Sequence, residues 1–234
     1  MGAATCRLAA ERGYDVAINY ARDREAAEGV AKDCWKHGVR AEIFQADVAR
    51  EDDIARLFHE IDGFGQLTHL VNNAGIVGRA SRFDEADPVS IRATVDLNVT
   101  GAMLVTQAAL KRISTRHDGP GGAIVNLSSI AATLGAPGEY VWYAATKAAI
   151  DALTIGLAKE VAAEGVRVNA VSPGLIDTGI HASGGQPDRI AKRGPLLPIG
   201  RAGTPQEVAE TILFLLSDQA SFVTGSNVRI AGGL

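Results

Sequence analysis

Six short apolar runs rich in β-branched residues, separated by stretches with helical periodicity, fix what this chain can fold into. They lie at residues 15–20, with VAI at the centre, 39–45, in the HLVNNAG tract from His69, and at 123–127, 166–171 and 228–231. Continuous apolar runs of this length suit strands buried on both faces. Strands that alternate with helices pair in parallel, because each crossover returns the chain to the same end of the sheet. Helices are expected over residues 3–12, 24–37, 51–62, 88–113, from around Tyr143 to 163, and over 205–216; Gly13 and Gly38 stand where the first two stop. The pattern contains no linker, repeat or low-complexity segment, and 234 residues supply one large core. The expected architecture is a single α/β domain over residues 1–234, a doubly wound parallel sheet whose ligand crevice opens beyond the strand C-termini.

Composition narrows the partners. A formal net charge of −4 leaves no polycationic footprint, which argues against nucleic acid and anionic membranes and leaves small molecules as the default ligand. No apolar run reaches the ~18 residues of a membrane span, and the first residues lack the basic and apolar regions of a signal peptide. A cytoplasmic protein is therefore expected. Cys6 and Cys34 are far apart and in no C-x-x-C or Cys/His spacing, so two idle thiols and no metal site are expected.

The polar residues that interrupt these runs all fall at predicted strand ends: Tyr20-Ala21-Arg22, Asp47-Val48, Asn72-Asn73-Ala74-Gly75, Ser128-Ser129 and Ser172-Pro173-Gly174. Any one of them is ordinary turn chemistry, but five on one rim form a constellation. Beyond the fourth tip, Tyr143 and Lys147 are four apart on a predicted helix and so project from one face. An unperturbed phenol titrates near ~10, and a neighbouring cation lowers that value. Tyr143 beside Lys147 is thus expected to be a general acid/base, with Ser128 or Ser129 at the mouth of the same cleft.

Taken in order, Asp47, NNAG at 72–75, Asn98, Ser129, Tyr143, Lys147 and PGLIDT at 173–178 resemble the short-chain dehydrogenase/reductase family over essentially the whole chain. The resemblance implies a Rossmann fold, usually assembled as a homotetramer. It implies hydride transfer between NAD(P) and a secondary alcohol or carbonyl, with EYVWYAATK and VAINY most similar to sugar or polyol dehydrogenases and 3-oxoacyl-thioester reductases. By the same resemblance Lys147 also holds the nicotinamide ribose, Asn98 positions a water on the proton path, and Ser129 donates to the substrate oxygen. The family's serine stands thirteen residues before its tyrosine, which is Ile130 in this chain; one inserted residue within 136–142 restores Ser129, with Ser128 the poorer choice. Trp142 is expected to pack in the loop.

For the cofactor, the resemblance places Asp47 and Val48 beside the adenine and Asn73, Ala74 and Gly75 under the adenosine ribose. Pro173, Gly174, Ile176 and Thr178 fall at the nicotinamide carboxamide. The strand tip at Tyr20 has Arg22 and no acid before Asp23, which favours NADP over NAD. Residues 182–197 correspond to a mobile cover; His181 just before it, and Arg189, Lys192 and Arg193 within it, either meet an anionic substrate or form a solvated basic face.

One departure is large. The family opens with a buried strand and a T-G-x-x-x-G-x-G turn; here Gly2 matches the last glycine and residues 3–12 the first helix. A Rossmann sheet lacking its first strand is therefore expected, with neighbouring strands left unpaired at roughly 1–3 kcal/mol per orphaned group. The resemblance thus also implies that the sequence is N-terminally truncated relative to a working enzyme. The alternative class is a non-catalytic, dinucleotide-sensing or partner-binding protein on the same fold.

Overall fold

The computed structural model describes residues 1–234. Helices α1 (Gly2–Glu11), α2 (Arg24–Trp35) and α3 (Glu51–Phe64) alternate with strands β1 (Val16–Tyr20), β2 (Ala41–Gln45) and β3 (His69–Asn72). Helices α4 (Pro88–Val95) and α5 (Ala102–Ile113) lead to β4 (Gly122–Leu127). A short α6 (Ala131–Leu134) and the long α7 (Val141–Val161) precede β5 (Val166–Pro173). The short helices α8 (Ile180–Ser183) and α9 (Arg189–Arg193), then α10 (Pro205–Leu216) and β6 (Asn227–Ile230), complete the chain.

Every strand pairing is parallel, as the alternation predicts, but the strands form two sheets. One has the order β1-β2 and the other β3-β4-β5-β6. The missing-strand expectation matches this division: β1 and β3 each keep one lateral edge without a partner strand. The consequence appears in burial. Almost every side chain of β4 and β5 is buried, whereas all four residues of β3 remain partly exposed.

Helices on both faces bridge the division. On one side α1 sends Ala4 and Leu8 into the core shared with β4, β5 and α10, and Ala10 into the core of β1, β2 and α2. On the other side Ile54, Leu57, Phe58 and Ile61 of α3 pack with Phe44 of β2, with Val105, Ala109 and Ile113 of α5, and with Ile124 of β4. These aliphatic faces at helical spacing are what hold the two sheets in one body.

The helix expected over 88–113 is broken. Between α4 and α5, residues Asp96–Gly101 form a π-helical turn. Such a turn inserts one residue into the hydrogen-bond ladder and rotates the side chains after it, which composition does not reveal. Here it buries Asn98 and brings Gly101 against the backbone of Val48. A Cβ at Gly101 would lie 2.2 Å from the Val48 carbonyl oxygen. Gly101→Ala must therefore push the two backbones away from each other. It is expected to cost at least about 1–3 kcal/mol and to lower Tm by roughly 2–4 °C for each of them. A circular-dichroism melt indistinguishable from wild type would reject this close approach.

Candidate active site

The tips of β3, β4 and β5 lie side by side at one end of the larger sheet, and the sequence around them explains how they are held. Asn72 closes β3 by donating to Thr106 Oγ1 at 2.8 Å and Asn126 Oδ1 at 2.9 Å. Asn126 in turn donates to Thr154 Oγ1 at 2.9 Å. This buried polar ladder joins β3, β4, α5 and α7, and a fully satisfied network of this kind rigidifies the sheet end. Neither Asn126 nor the threonines carried a sequence signal, because a threonine bonded inside a helix looks like any helical threonine.

After β3 the chain turns through Asn73-Ala74-Gly75. Asn98 then clamps Ile76: its Oδ1 accepts from the Ile76 N–H at 2.9 Å, and its Nδ2 donates to the Ile76 carbonyl at 2.8 Å and to Thr146 Oγ1 at 3.2 Å. The amide side chain of Asn98 is thus engaged in fixing the loop. A Cβ on Gly75 would lie 3.2 Å from Asn98 Oδ1 and 3.6 Å from Lys147 Nζ, so loop, asparagine and lysine form one cluster.

Lys147 lies on α7 and is only 5% exposed. Its Nζ donates to the Leu127 carbonyl at the end of β4 at 2.6 Å; the other two ammonium protons have no protein partner. Burial lowers its pKa to about 8, partly opposed by Asp151. Nζ is 5.7 Å from the centre of the Tyr143 ring, which stacks edge-on against Tyr140 at 6.3 Å.

Lys147 alone does not produce the lowering of the Tyr143 pKa that it and an oxidised nicotinamide are together expected to give. Loss of solvent pushes the phenol up to about 12, with Ser129 opposing and Tyr140 reinforcing the shift. A cation that is itself poorly solvated does not overcome the desolvation of its neighbour. At neutral pH Tyr143 is a phenol, the proton-donating form.

The two serines separate cleanly. Ser128 is buried and donates to the Lys147 carbonyl at 3.2 Å. Ser129 accepts from the Ala131 N–H at 3.1 Å and lies against the Tyr143 hydroxyl. Between Ser129 and Tyr143, Ala136 takes a φ of 46°, a left-handed conformation uncommon outside glycine, within the segment where one inserted residue was expected. Trp142 packs as expected: it is buried, and its Nε1 donates to the Val77 carbonyl at 3.0 Å.

A cavity of about 540 Å³ opens beside Ser129 and Tyr143. Pro173, Gly174, Ile176 and Thr178 line it from the end of β5. His181 Nε2 donates to the Ile176 carbonyl at 2.9 Å, which fixes that wall. Thr178 Oγ1 is buried with no hydrogen-bond partner, a costly state unless a bound group completes it. Together with the two unpartnered ammonium protons of Lys147, it fits an amide and a polyol of a bound NAD(P).

The remaining predicted residues lie at the other arm. Arg22 is exposed and in no ion pair, while the Asp23 carboxylate caps α2 by accepting from Ala26 N–H at 2.9 Å. Tyr20 ends β1. Asp47 accepts from Ala49 N–H at 3.1 Å beside the buried Val48. Gly2, at the start of α1, abuts Asn73: a Cβ there would lie 2.7 Å from Asn73 Nδ2. No three His, Cys, Asp or Glu side chains gather to hold a metal.

The basic residues of the cover correct a solvated-face reading for two of four. Arg189 is largely buried, forms a two-pronged pair with Glu139 at 2.9 and 2.8 Å, and lies 5.6 Å over the Tyr140 ring. Arg193 joins the same carboxylate. Lys192 stays exposed and pairs only with Asp188. Glu139 and Tyr140 gave no separate signal in the sequence, since their partners lie about fifty residues away.

Comparison with known proteins agrees with this geometry. A family model described as enoyl-(acyl carrier protein) reductase matches residues 1–234. An uncharacterized oxidoreductase of Escherichia coli (strain K12) is 46% identical over 234 residues, covering 100% of this chain and 95% of its own. The cis-4-hydroxycyclohexanecarboxylate dehydrogenase of Sinomonas cyclohexanicum is 41% identical, covering 100% and 91%. Among solved structures, a short-chain type dehydrogenase/reductase from Mycobacterium marinum superposes with a TM-score of 0.90 at 32% identity, covering 99% of this chain and 89% of its own. With a parallel α/β sheet, a serine and a tyrosine on one cavity with a buried lysine behind the tyrosine, and these relatives along its whole length, the chain belongs to the short-chain dehydrogenase/reductase family of NAD(P)-dependent oxidoreductases.

Proposed function

We propose that this protein interconverts a secondary alcohol and its carbonyl, with Tyr143 as general acid/base. The observation that carries the reading is the buried ammonium of Lys147, with two protons unspent, 5.7 Å from the ring of Tyr143, which itself lines the cavity. NAD(P), when bound, supplies or accepts the hydride. Ser129 orients the substrate oxygen toward the phenol, and Tyr143 exchanges the proton. Lys147 donates its two spare N–H groups to cofactor hydroxyls and keeps a positive charge behind the phenol. Asn98 acts through the loop it clamps, and Thr178 with Ile176 receives the carboxamide end. The proposed substrates are sugars, polyols, hydroxy acids or 3-oxoacyl compounds, and the relative named for a hydroxycyclohexanecarboxylate adds cyclic hydroxy acids to the panel.

NADP is the proposed cofactor. Arg22 is unpaired at the tip of β1, and the nearby Asp23 carboxylate gives one oxygen to the α2 cap, so the tip offers a free guanidinium as a phosphate partner. Fluorescence titration should show tighter binding of NADPH than NADH. In Arg22→Ala the ratio of the two Kd values should fall about tenfold. A wild-type preference for NADH would overturn the assignment. Turnover on the panel above tests the reaction itself.

The chain is proposed to act as one domain in a cytoplasmic homotetramer. Exposed apolar side chains support assembly, among them Val89, Met103 and Ile155 on the α4, α5 and α7 surfaces, and Phe214 and Phe222 near α10. No helix is long and apolar enough to cross a membrane.

A further inference from the structure

The cavity beside Tyr143 is mostly apolar, with its ionic side chains gathered at one end. Glu139, from the loop before α7, meets Arg189 and Arg193 of α9 there. Two guanidinium groups share one carboxylate, so the cluster keeps one net positive charge, and no other acidic side chain lines the cavity. The two arginines are not equivalent. Arg189 is held in place: it bonds both Glu139 oxygens and Gln186, stacks on Tyr140, and its side chain is 14% exposed. Arg193 makes a single bond to Glu139, and its side chain is 55% exposed at the cavity wall. Most of its planar fork remains available for a second anion.

Geometry links this charge to the reacting end. Two steps, 5.6 Å from the Arg189 guanidinium to the Tyr140 ring and 6.3 Å from there to the Tyr143 ring, span the distance. Arg193 and Tyr143 line the same cavity, so one substrate can meet both.

We propose that Arg193, braced by the Glu139–Arg189 pair, selects alcohols and ketones that carry a carboxylate or similar oxyanion a short carbon chain from the reacting carbon. This rests on the oxidoreductase reading of the same cavity. Arg189 is the positioning residue: it holds Glu139, and Glu139 holds Arg193 at the wall. The net charge left over is what an uncharged substrate leaves unsatisfied and an anionic one neutralises.

The test uses matched pairs. Oxidation of 4-hydroxypentanoate is compared with its methyl ester, and reduction of 4-oxopentanoate with its methyl ester, at low and high salt. In wild type kcat/KM should favour the carboxylate by about tenfold, and the preference should shrink with salt. Arg193→Gln should bring the ratio toward one through the KM of the carboxylate, and Arg193→Lys should restore some of it. Lys192→Gln, which removes a charge from the same helix away from the cavity, should leave the ratio intact. Equal wild-type turnover of acid and ester, or a ratio unmoved by Arg193→Gln, would overturn the proposal. A thermal shift with 4-oxopentanoate separates the two readings: a shift in wild type that is lost in Arg193→Gln, with no turnover of any pair, would sink the redox reading and keep the anion site. No shift and no turnover would reject both.

Discussion

Tyr143→Phe is expected to lower kcat about a thousandfold, within the range a positioned acid/base supplies. The fold and cofactor affinity should stay close to wild type. The substitution removes one oxygen and keeps the ring, so the edge-on contact with Tyr140 and the helix that carries Lys147 persist. Steady-state kinetics, NADPH titration and a circular-dichroism melt on one preparation check the three expectations. The direction of reaction adds a sharper signature. With the phenol held near 12, its neutral form predominates at neutral pH. Carbonyl reduction, which needs a proton donor, should therefore run near neutral pH, while alcohol oxidation, which needs the phenolate, should rise with pH in wild type. If Tyr143→Phe turned over at a rate within tenfold of wild type, Tyr143 would not be the acid/base. If wild type bound NADPH but oxidised or reduced nothing, the dinucleotide-sensing alternative would take its place.

Much of this site could be read from the chain because its components are local. The strands announce themselves as short β-branched runs, and a parallel sheet is expected to place strand tips on one rim, so Asp47, Asn73, Ser129 and Gly174 could be grouped without coordinates, with Thr178 added by the resemblance. Helix geometry puts Tyr143 and Lys147 on one face, and the strand ending at Ser128 and Ser129, with the family resemblance, gives the pair its weight. The unpaired strand edges were legible only through the resemblance, whose pattern has a strand between them. What escaped was set by tertiary contact. The π turn at Asp96–Gly101 shifts one hydrogen bond and leaves no mark in residue type. The sharing of Glu139 by Arg189 and Arg193 depends on where two loops fold, and a basic run on a short helix looks equally like a solvated face. The pKa of Tyr143 went the other way from the pairwise expectation because burial acts on both members of the pair, a quantity that spacing does not carry.

Lys147 gives the second large effect, on stability. Its ordinary value is 10.5 and its folded value is about 8, lowered by burial. Below pH 8 the ammonium is charged in both states, and the folded protein bears its desolvation in full. As pH rises through 8 the folded protein releases the proton, while the unfolded chain holds it until about 10.5. The unfolded state then binds more protons, so the free energy of unfolding increases with pH across that window. The difference between the two values corresponds to about 3 kcal/mol. Four thiols and phenols work in the opposite sense, since burial also raises Cys34 and Tyr140 above their ordinary values. Cys6 and Tyr143 are each raised to about 12 in the folded protein, so their contributions are present at lower pH and lost as pH climbs above their ordinary values of 9.0 and 10.0. The Lys147 contribution is therefore isolated by difference. Lys147→Met removes the buried charge and keeps the apolar stem, so it should be more stable than wild type at pH 7. That advantage should shrink as pH rises from 8 to 10, measured by urea unfolding at each pH. A stability difference independent of pH would show that the ammonium is not desolvated as described. The same variant should lose turnover throughout the range, since the charge that destabilises the fold is the one that stands behind the phenol and reaches for the cofactor. A residue that costs stability and carries the reaction is what a site built for function predicts.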